Sequence, residues 1–175
     1  MPNTKQSLLT ILVTALVSLP DVSSAAPAAG VAIYVGAIAA RETGISSAGL
    51  DFGADIQYLA TRSWTLNPYL TISAEKSNAT STKVSDVIGG LQFRRWFGEY
   101  YLGAHLSSHA RIYKAETTGT RYSLLATGLI AGAEFSSGWG ASFHLDLLEP
   151  AGFTPYSAGA AWRNAIKANL VYRFK

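Results

Sequence analysis

The feature that most constrains this chain is a two-residue rhythm of apolar and polar side chains. Over residues 48–61 the even positions read Ala48, Leu50, Phe52, Ala54, Ile56, Tyr58 and Ala60, while the odd ones include Gly49, Asp51, Gly53, Asp55 and Gln57. Successive side chains of an extended strand point to opposite faces, so this segment as a strand is apolar on one side and carries carboxylates on the other. A helix would spread the same residues around its axis. The rhythm then recurs. Leu66, Pro68, Leu70, Ile72 and Ala74 oppose Asn67, Tyr69, Thr71, Ser73 and Glu75. Over residues 100–113, Leu102, Ala104, Leu106, Ala110 and Ile112 oppose Tyr101, His105, Ser107, His109, Arg111 and Tyr113. Later, Ala141, Phe143, Leu145 and Leu147 oppose Ser142, His144 and Asp146.

Residues 31–42, 84–96 and 122–135 alternate less cleanly but are strand-like and interrupted by glycine, which brings the number of strands to seven. An eighth spans residues 160–174, where Ile166, Ala168, Leu170, Tyr172 and Phe174 alternate with Lys167, Asn169, Val171 and Arg173. Several runs exceed the usual five or six residues of a globular strand and suit the 9 to 11 that cross a bilayer at a tilt. Alternation alone leaves two architectures open. A soluble sandwich or lipocalin-like barrel buries the apolar face, whereas a membrane barrel turns that face to lipid.

The last strand carries a resemblance. Its apolar residues at every second position, ending on an aromatic, resemble the C-terminal strand of the bacterial outer-membrane barrel superfamily, and the likeness is nearest to opacity-type and other small surface barrels. In this chain Lys175 follows Phe174, so the aromatic is penultimate. The resemblance covers nearly the whole mature chain as architecture. It implies an all-β, eight-stranded antiparallel up-and-down transmembrane barrel in a Gram-negative outer membrane. Outer-membrane lipid and lipopolysaccharide would be its partners, the barrel-insertion machinery would read the last strand during biogenesis, and the protein would be a monomer.

Composition agrees with a membrane setting. Charged residues are 14% of the chain and hydrophobic ones 49%, against about 25% charged in ordinary soluble domains. The formal net charge of +3 is scattered and forms no cluster that could track a phosphate backbone, which argues against nucleic acid. No cysteine is present, so disulfides and thiolate metal sites are excluded. At the N-terminus Lys5 precedes an apolar run over residues 8–19, which is too short to span a bilayer and ends at Pro20. Ser23 and Ala25 fit a small-x-small cleavage rule. Residues 1–25 are therefore expected to be a signal peptide, and 26–175 the barrel. No later stretch reaches 18 unbroken apolar residues, so strands must do any further membrane crossing.

The joints offer a separate expectation. Tight ones are predicted at 62–65, 97–99 and 136–138, and longer polar ones at 42–47, 76–83, 114–120 and 149–157. This asymmetry would put both termini on the periplasmic side. Tyr58, Trp64, Trp96, Tyr100, Tyr172 and Phe174 would then form an aromatic girdle at the periplasmic rim.

With lipid outside, the inward set is Asp51, Asp55, Glu75, Asp86, Arg94, His105, Ser107, His109, Arg111, Glu134, His144, Asp146, Lys167 and Arg173. Eight strands enclose a lumen that side chains can just fill, and isolated buried charges are costly, so these residues should pair into a salt-bridged plug. His105-x-Ser107 also places a base and a hydroxyl on one face, with Asp146 or Glu134 as candidate orienting groups, and is similar to the His-x-Ser pair of outer-membrane lipid A deacylases. In that family asparagine follows the pair, which lies near the C-terminus; here Ser108 follows and about three strands remain. His105 and His109 lie about 13 Å apart on an extended strand, too far to share a metal ion. No cofactor is implied, and neither catalytic nor metal-binding residues are assigned. The sequence therefore points to a non-enzymatic, structural or surface-interacting barrel, with a narrow solute channel and a lipid A hydrolase as alternatives. Asn78-Ala79-Thr80 is read as a polar turn.

Overall fold

The computed structural model describes residues 29–42, 45–59, 61, 63–78, 82–114, 118–150 and 162–174. The expected signal peptide and its cleavage site before Ala26, Ala79 and Thr80 of the polar turn, and most of the predicted 149–157 loop lie outside them.

Eight strands follow one another along the chain: β1 (Gly30–Glu42), β2 (Ile45–Leu59), β3 (Trp64–Ser77), β4 (Lys83–Phe97), β5 (Tyr100–Lys114), β6 (Thr118–Glu134), β7 (Trp139–Pro150) and β8 (Trp162–Phe174). Each pairs antiparallel with the next, and β8 pairs with β1, so the sheet closes on itself and has no free edge. Closure joins Val31 to Phe174 at one end and Glu42 to Arg163 at the other. Both described termini therefore lie at the same end of the cylinder.

The orientation of the two faces decides what kind of barrel this is. Leu50, Leu70 and Leu106 are 54%, 55% and 42% exposed on the outer wall, whereas Asp51, Asp55 and Asp86 are at most 1% exposed in the lumen. The apolar rows of the sequence thus face outward, the reverse of a soluble barrel. Strands of 12 to 17 residues carry the wall beyond the length of a bilayer crossing. Imperfect alternation in three segments also has a cause. Tyr34, Ile38, Ile88, Ala126 and Ile130 are buried in the lumen, where Tyr34 clusters with Ala32 and Val171, Ile38 with Ala40 and Ala165, and Ile130 with Trp96 and Tyr101, so those strands are partly apolar on both faces.

The joints differ from the expected rule of alternating lengths. At the end away from the termini, only residues 43–44 separate β1 from β2 and residues 115–117 separate β5 from β6. These joints are as short as those at the opposite end. Pairing of Glu42 with Ile45 and of Lys114 with Thr118 carries the ladders to the tips of these hairpins, absorbing residues whose polarity suggested loops. The connection over residues 151–161 stays long. Gly98 and Gly138, with φ of 72° and 90°, sit in tight turns at the terminal end, where a side chain would be strained.

Candidate functional site

The lumen is the only concentration of chemically active side chains among the described residues, and it is built in layers from alternate strands. Nearest the termini, Asp55 of β2, Arg94 of β4, Glu134 of β6 and Arg173 of β8 meet across the barrel. Arg94 Nη1 lies 3.1 Å from Glu134 Oε1, while its Nη2 bonds Asp55 Oδ2. Arg173 reaches the same two acids, with Nε 2.5 Å from Glu134 Oε2 and Nη2 3.1 Å from Asp55 Oδ1. Two guanidiniums and two carboxylates thus form a closed, neutral ring, each member contacting both of its opposites. Further groups complete their valences. Asn67 donates to Asp55 at 3.2 Å, Arg94 Nε donates to Gln92 at 3.0 Å, and Arg173 donates to the Gly30 carbonyl at 3.0 Å. Arg94 also lies over the Tyr101 ring, 4.7 Å from its centroid. Buried pairs stabilise only when geometry is good and remaining bonding capacity is met, which this ring satisfies.

The middle layer comes from the odd strands. Tyr34 of β1, Tyr69 of β3, His105 of β5 and His144 of β7 surround the axis, with ring centroids 6.1 to 6.4 Å apart for the Tyr34–His144, Tyr69–His105 and His105–His144 pairs. These rings fit because their register partners are glycines: Gly53 beside Tyr34, Gly90 beside Tyr69 and Gly128 beside His105. A Cβ on Gly128 would stand 2.3 Å from His105 Nε2. Tyr69 Oη lies 3.3 Å from His105 Nδ1, and Asp146 Oδ1 lies 3.0 Å from His105 Nε2. Lys167 Nζ sits between two acids, 3.9 Å from Asp146 and 4.0 Å from Asp51.

Toward the other end, Asp86 collects three donors. Arg111 donates through Nη2 at 2.6 Å and Nε at 3.2 Å, and His109 Nδ1 lies 3.1 Å away. Ser107 Oγ is 2.9 Å from His109 Nε2. Glu75 accepts from Arg163 at 2.5 Å, Ser47 at 2.6 Å and Ser73 at 3.1 Å. Arg111 also approaches Glu42 at 3.8 Å.

All fourteen residues picked out from the sequence lie on the lumen face and are at most 4% exposed. They gather at three levels of the lumen. The predicted His105-x-Ser107 pair is not formed: His105 turns to Tyr69 and Asp146, and the serine bonds His109, whose other ring nitrogen meets Asp86. Asp146 does stand beside His105, whereas Glu134 belongs to the ring near the termini. The resulting Ser107–His109–Asp86 chain has the connectivity of a nucleophile, a base and an orienting acid. Among the described residues, no group of three or more histidine, aspartate or glutamate side chains could hold a metal ion.

Arg163, Tyr34 and Trp96 are among the inward residues that the sequence pattern did not reveal. Arg163 shares the odd parity of Lys167 and Arg173, which was the available signal. Tyr34 was hidden by the apolar residues on both faces of β1. Trp96 was expected in the girdle but is fully buried: its Nε1 donates to Thr65 Oγ1 at 3.0 Å and its ring lies 4.7 Å from that of Tyr101. The reason is parity, because residue 96 shares a face with Arg94. Its neighbour Arg95 has the outward parity but is 2% exposed, enclosed between the Trp64 and Phe97 rings at 5.5 Å from each. Tyr58, Tyr100 and Phe174 do project outward at this rim, joined by Trp139, which packs on Tyr172 at 4.9 Å.

A closed eight-stranded antiparallel barrel, apolar without and ionic within, is the form of small outer-membrane β-barrel proteins. Comparison with solved structures points the same way. The chain is similar to Neisserial surface protein A, with 15% identity and a TM-score of 0.57, covering 85% of this chain and 100% of that one. It is also similar to Ail, the attachment invasion locus protein of Yersinia pestis, solved with the heparin analogue sucrose octasulfate, with 10% identity and a TM-score of 0.52, covering 85% and 100%. Both neighbours are small eight-stranded outer-membrane barrels, and the likeness is one of fold. No family model and no curated protein matches the sequence.

Proposed function

We propose that this chain is an exported, non-enzymatic barrel of the bacterial outer membrane, held rigid and shut by its ionic lumen, with a structural or surface-contact role. One observation carries the reading: aliphatic rows with Leu50, Leu70 and Leu106 half-exposed on the outside, and charged rows paired on the inside. Such an outer surface is insoluble in water and suited to acyl chains. The aromatic cluster of Tyr58, Tyr100, Trp139 and Phe174 at the rim beside the termini suits the periplasmic interface. The test is heat-modifiability on purified outer membranes: a closed barrel keeps its compact mobility in detergent until boiled. Recovery from periplasmic fluid without detergent would refute the reading.

The plug itself rests on the ring of Asp55, Arg94, Glu134 and Arg173, which crosses the lumen with all four members buried. Steady, reproducible openings of the wild-type protein in planar bilayers would overturn it in favour of a narrow channel. One feature favours that second reading. Both carboxylate oxygens of Asp51 and both amide atoms of Asn169 are buried without a hydrogen-bond partner, an arrangement that internal water would satisfy. A hydrolase is disfavoured because Ser107 is 4% exposed and an acyl substrate must bring its carbonyl within bonding distance of the nucleophile.

A further inference from the structure

Three lysines stand side by side on the outer wall, at the end away from the termini. Lys76 of β3 is the register partner of Lys83 of β4, and Lys83 is the register partner of Lys114 of β5. All three are exposed and share the outward parity of their strands. Adjacent strands are about 4.8 Å apart, so the row spans an arc of about 10 Å. Like charges directly opposite on neighbouring strands repel and weaken the sheet, and among the side chains described at this end no outward-facing acid offsets them. The acids beside Lys76 and Lys83 in sequence, Glu75 and Asp86, turn into the lumen, where Arg163 and Arg111 hold them, and Glu116, two residues from Lys114, lies outside the described residues. Among the described residues, no carboxylate pairs with any of the three lysines. Arg41 of β1 adds a further exposed cation at this end, and no outward-facing acid accompanies it among the side chains described.

The wall beneath the row is apolar. Leu70 and Ile72 below Lys76 are 55% and 52% exposed, and Val87 below Lys83 is 39% exposed. Cations over an aliphatic surface complement an amphiphile with an anionic head and acyl tails. Among the described residues the opposite rim differs: Tyr58, Tyr100, Trp139 and Phe174 project outward there, and Arg95, 2% exposed, is enclosed between two rings. The basic row thus stands at the end that the membrane reading directs outside.

We propose that Lys76, Lys83 and Lys114 form a binding site for the phosphate groups of the phosphorylated glycolipid of the outer leaflet, the lipid portion of lipopolysaccharide. The inference rests on the outer-membrane reading and specifies one lipid contact within it. Three ammonium groups in an arc this short can bridge two phosphates of one head group, while its acyl chains lie along β3 and β4.

The test uses the full chain folded in detergent micelles, titrated with bisphosphorylated lipid A, with its enzymatically dephosphorylated form and with phosphatidylglycerol, and compared with the variant K76S/K83S/K114S. A basic residue at an anionic surface contributes about fivefold in affinity. The triple variant should therefore bind bisphosphorylated lipid A about a hundredfold more weakly, each single variant about fivefold, and the dephosphorylated lipid should bind wild type and variant alike. Equal affinity of variant and wild type for the bisphosphorylated lipid would overturn the proposal. So would phosphatidylglycerol binding as tightly as the glycolipid. Each sample is first run unheated and boiled: absence of a mobility shift in the wild type would overturn the barrel reading along with the site, whereas a normal shift with flat lipid titrations removes the site alone.

Discussion

Replacing Arg94 with glutamine tests whether the ring near the termini holds the barrel together. Arg94 contacts both Asp55 and Glu134, so its loss leaves two carboxylates sharing Arg173 and puts one uncompensated negative charge in the lumen. Removing one partner from a buried ion pair typically costs about 3–5 kcal/mol, and every ring member here is at most 4% exposed. Glutamine keeps a polar head beside Gln92 but cannot span both acids. The variant should therefore unfold about 3–5 kcal/mol more easily in urea titrations of vesicle-inserted protein, followed by tryptophan fluorescence and by the unheated gel band. A second variant supplies the control. Arg94→Gln with Asp55→Asn removes one charge of each sign, leaves Glu134 with Arg173, and should recover at least half of the loss. If Arg94→Gln costs less than about 1 kcal/mol, a range ordinary for exposed pairs, or if the double variant is less stable than the single one, the ring does not act as a closed unit.

Other expectations follow from the same geometry. Opening the ring further with Arg94→Ser, Asp55→Ser, Glu134→Ser and Arg173→Ser together should convert a silent barrel into one with measurable planar-bilayer conductance, and continued silence would place the obstruction elsewhere in the lumen. Gly128→Ala sets a Cβ 2.3 Å from the His105 ring and the same distance from the Leu145 carbonyl, and should cost about 1–3 kcal/mol as overpacking. On the outer wall, a Cβ at Gly89 meets nothing closer than 3.9 Å, so Gly89→Ala should unfold within about 0.5 kcal/mol of wild type in the same titration. The Ser107–His109–Asp86 chain should not react with a fluorophosphonate probe while the barrel is folded. Labelling that disappears in Ser107→Ala would reverse the non-enzymatic reading.

Much of the fold was legible because the strand period is rigid: once Asp51 and Asp55 share a face, Leu50, Phe52 and Ile56 must occupy the other. The same arithmetic placed Arg94, His109, Glu134 and Lys167 inside. It was less informative where both faces are apolar, as in β1, and there Tyr34 passed unnoticed. Trp96 was misplaced by chemistry overriding parity, since tryptophan at a rim suggests an interface while its position next to Arg95 fixes it inward. Hairpin tips were misread because serine, threonine and lysine read as loop, yet solvent-exposed strand ends tolerate them. Partner choice within the lumen could not be read at all. Two residues on one strand face are always near one another, but whether Ser107 meets His105 or His109 depends on side chains from β3, β4 and β7 that compete for each imidazole.

The ring near the termini has a consequence for assembly. Its four residues come from the second, fourth, sixth and eighth strands, and Arg173 must reach back across 118 residues of chain to meet Asp55. Until the final hairpin zips against the first strand, Asp55 and Glu134 have one guanidinium between them. A chain cut short before its last strand therefore carries an unbalanced acid in its unfinished interior, so the fold itself discriminates against premature termini.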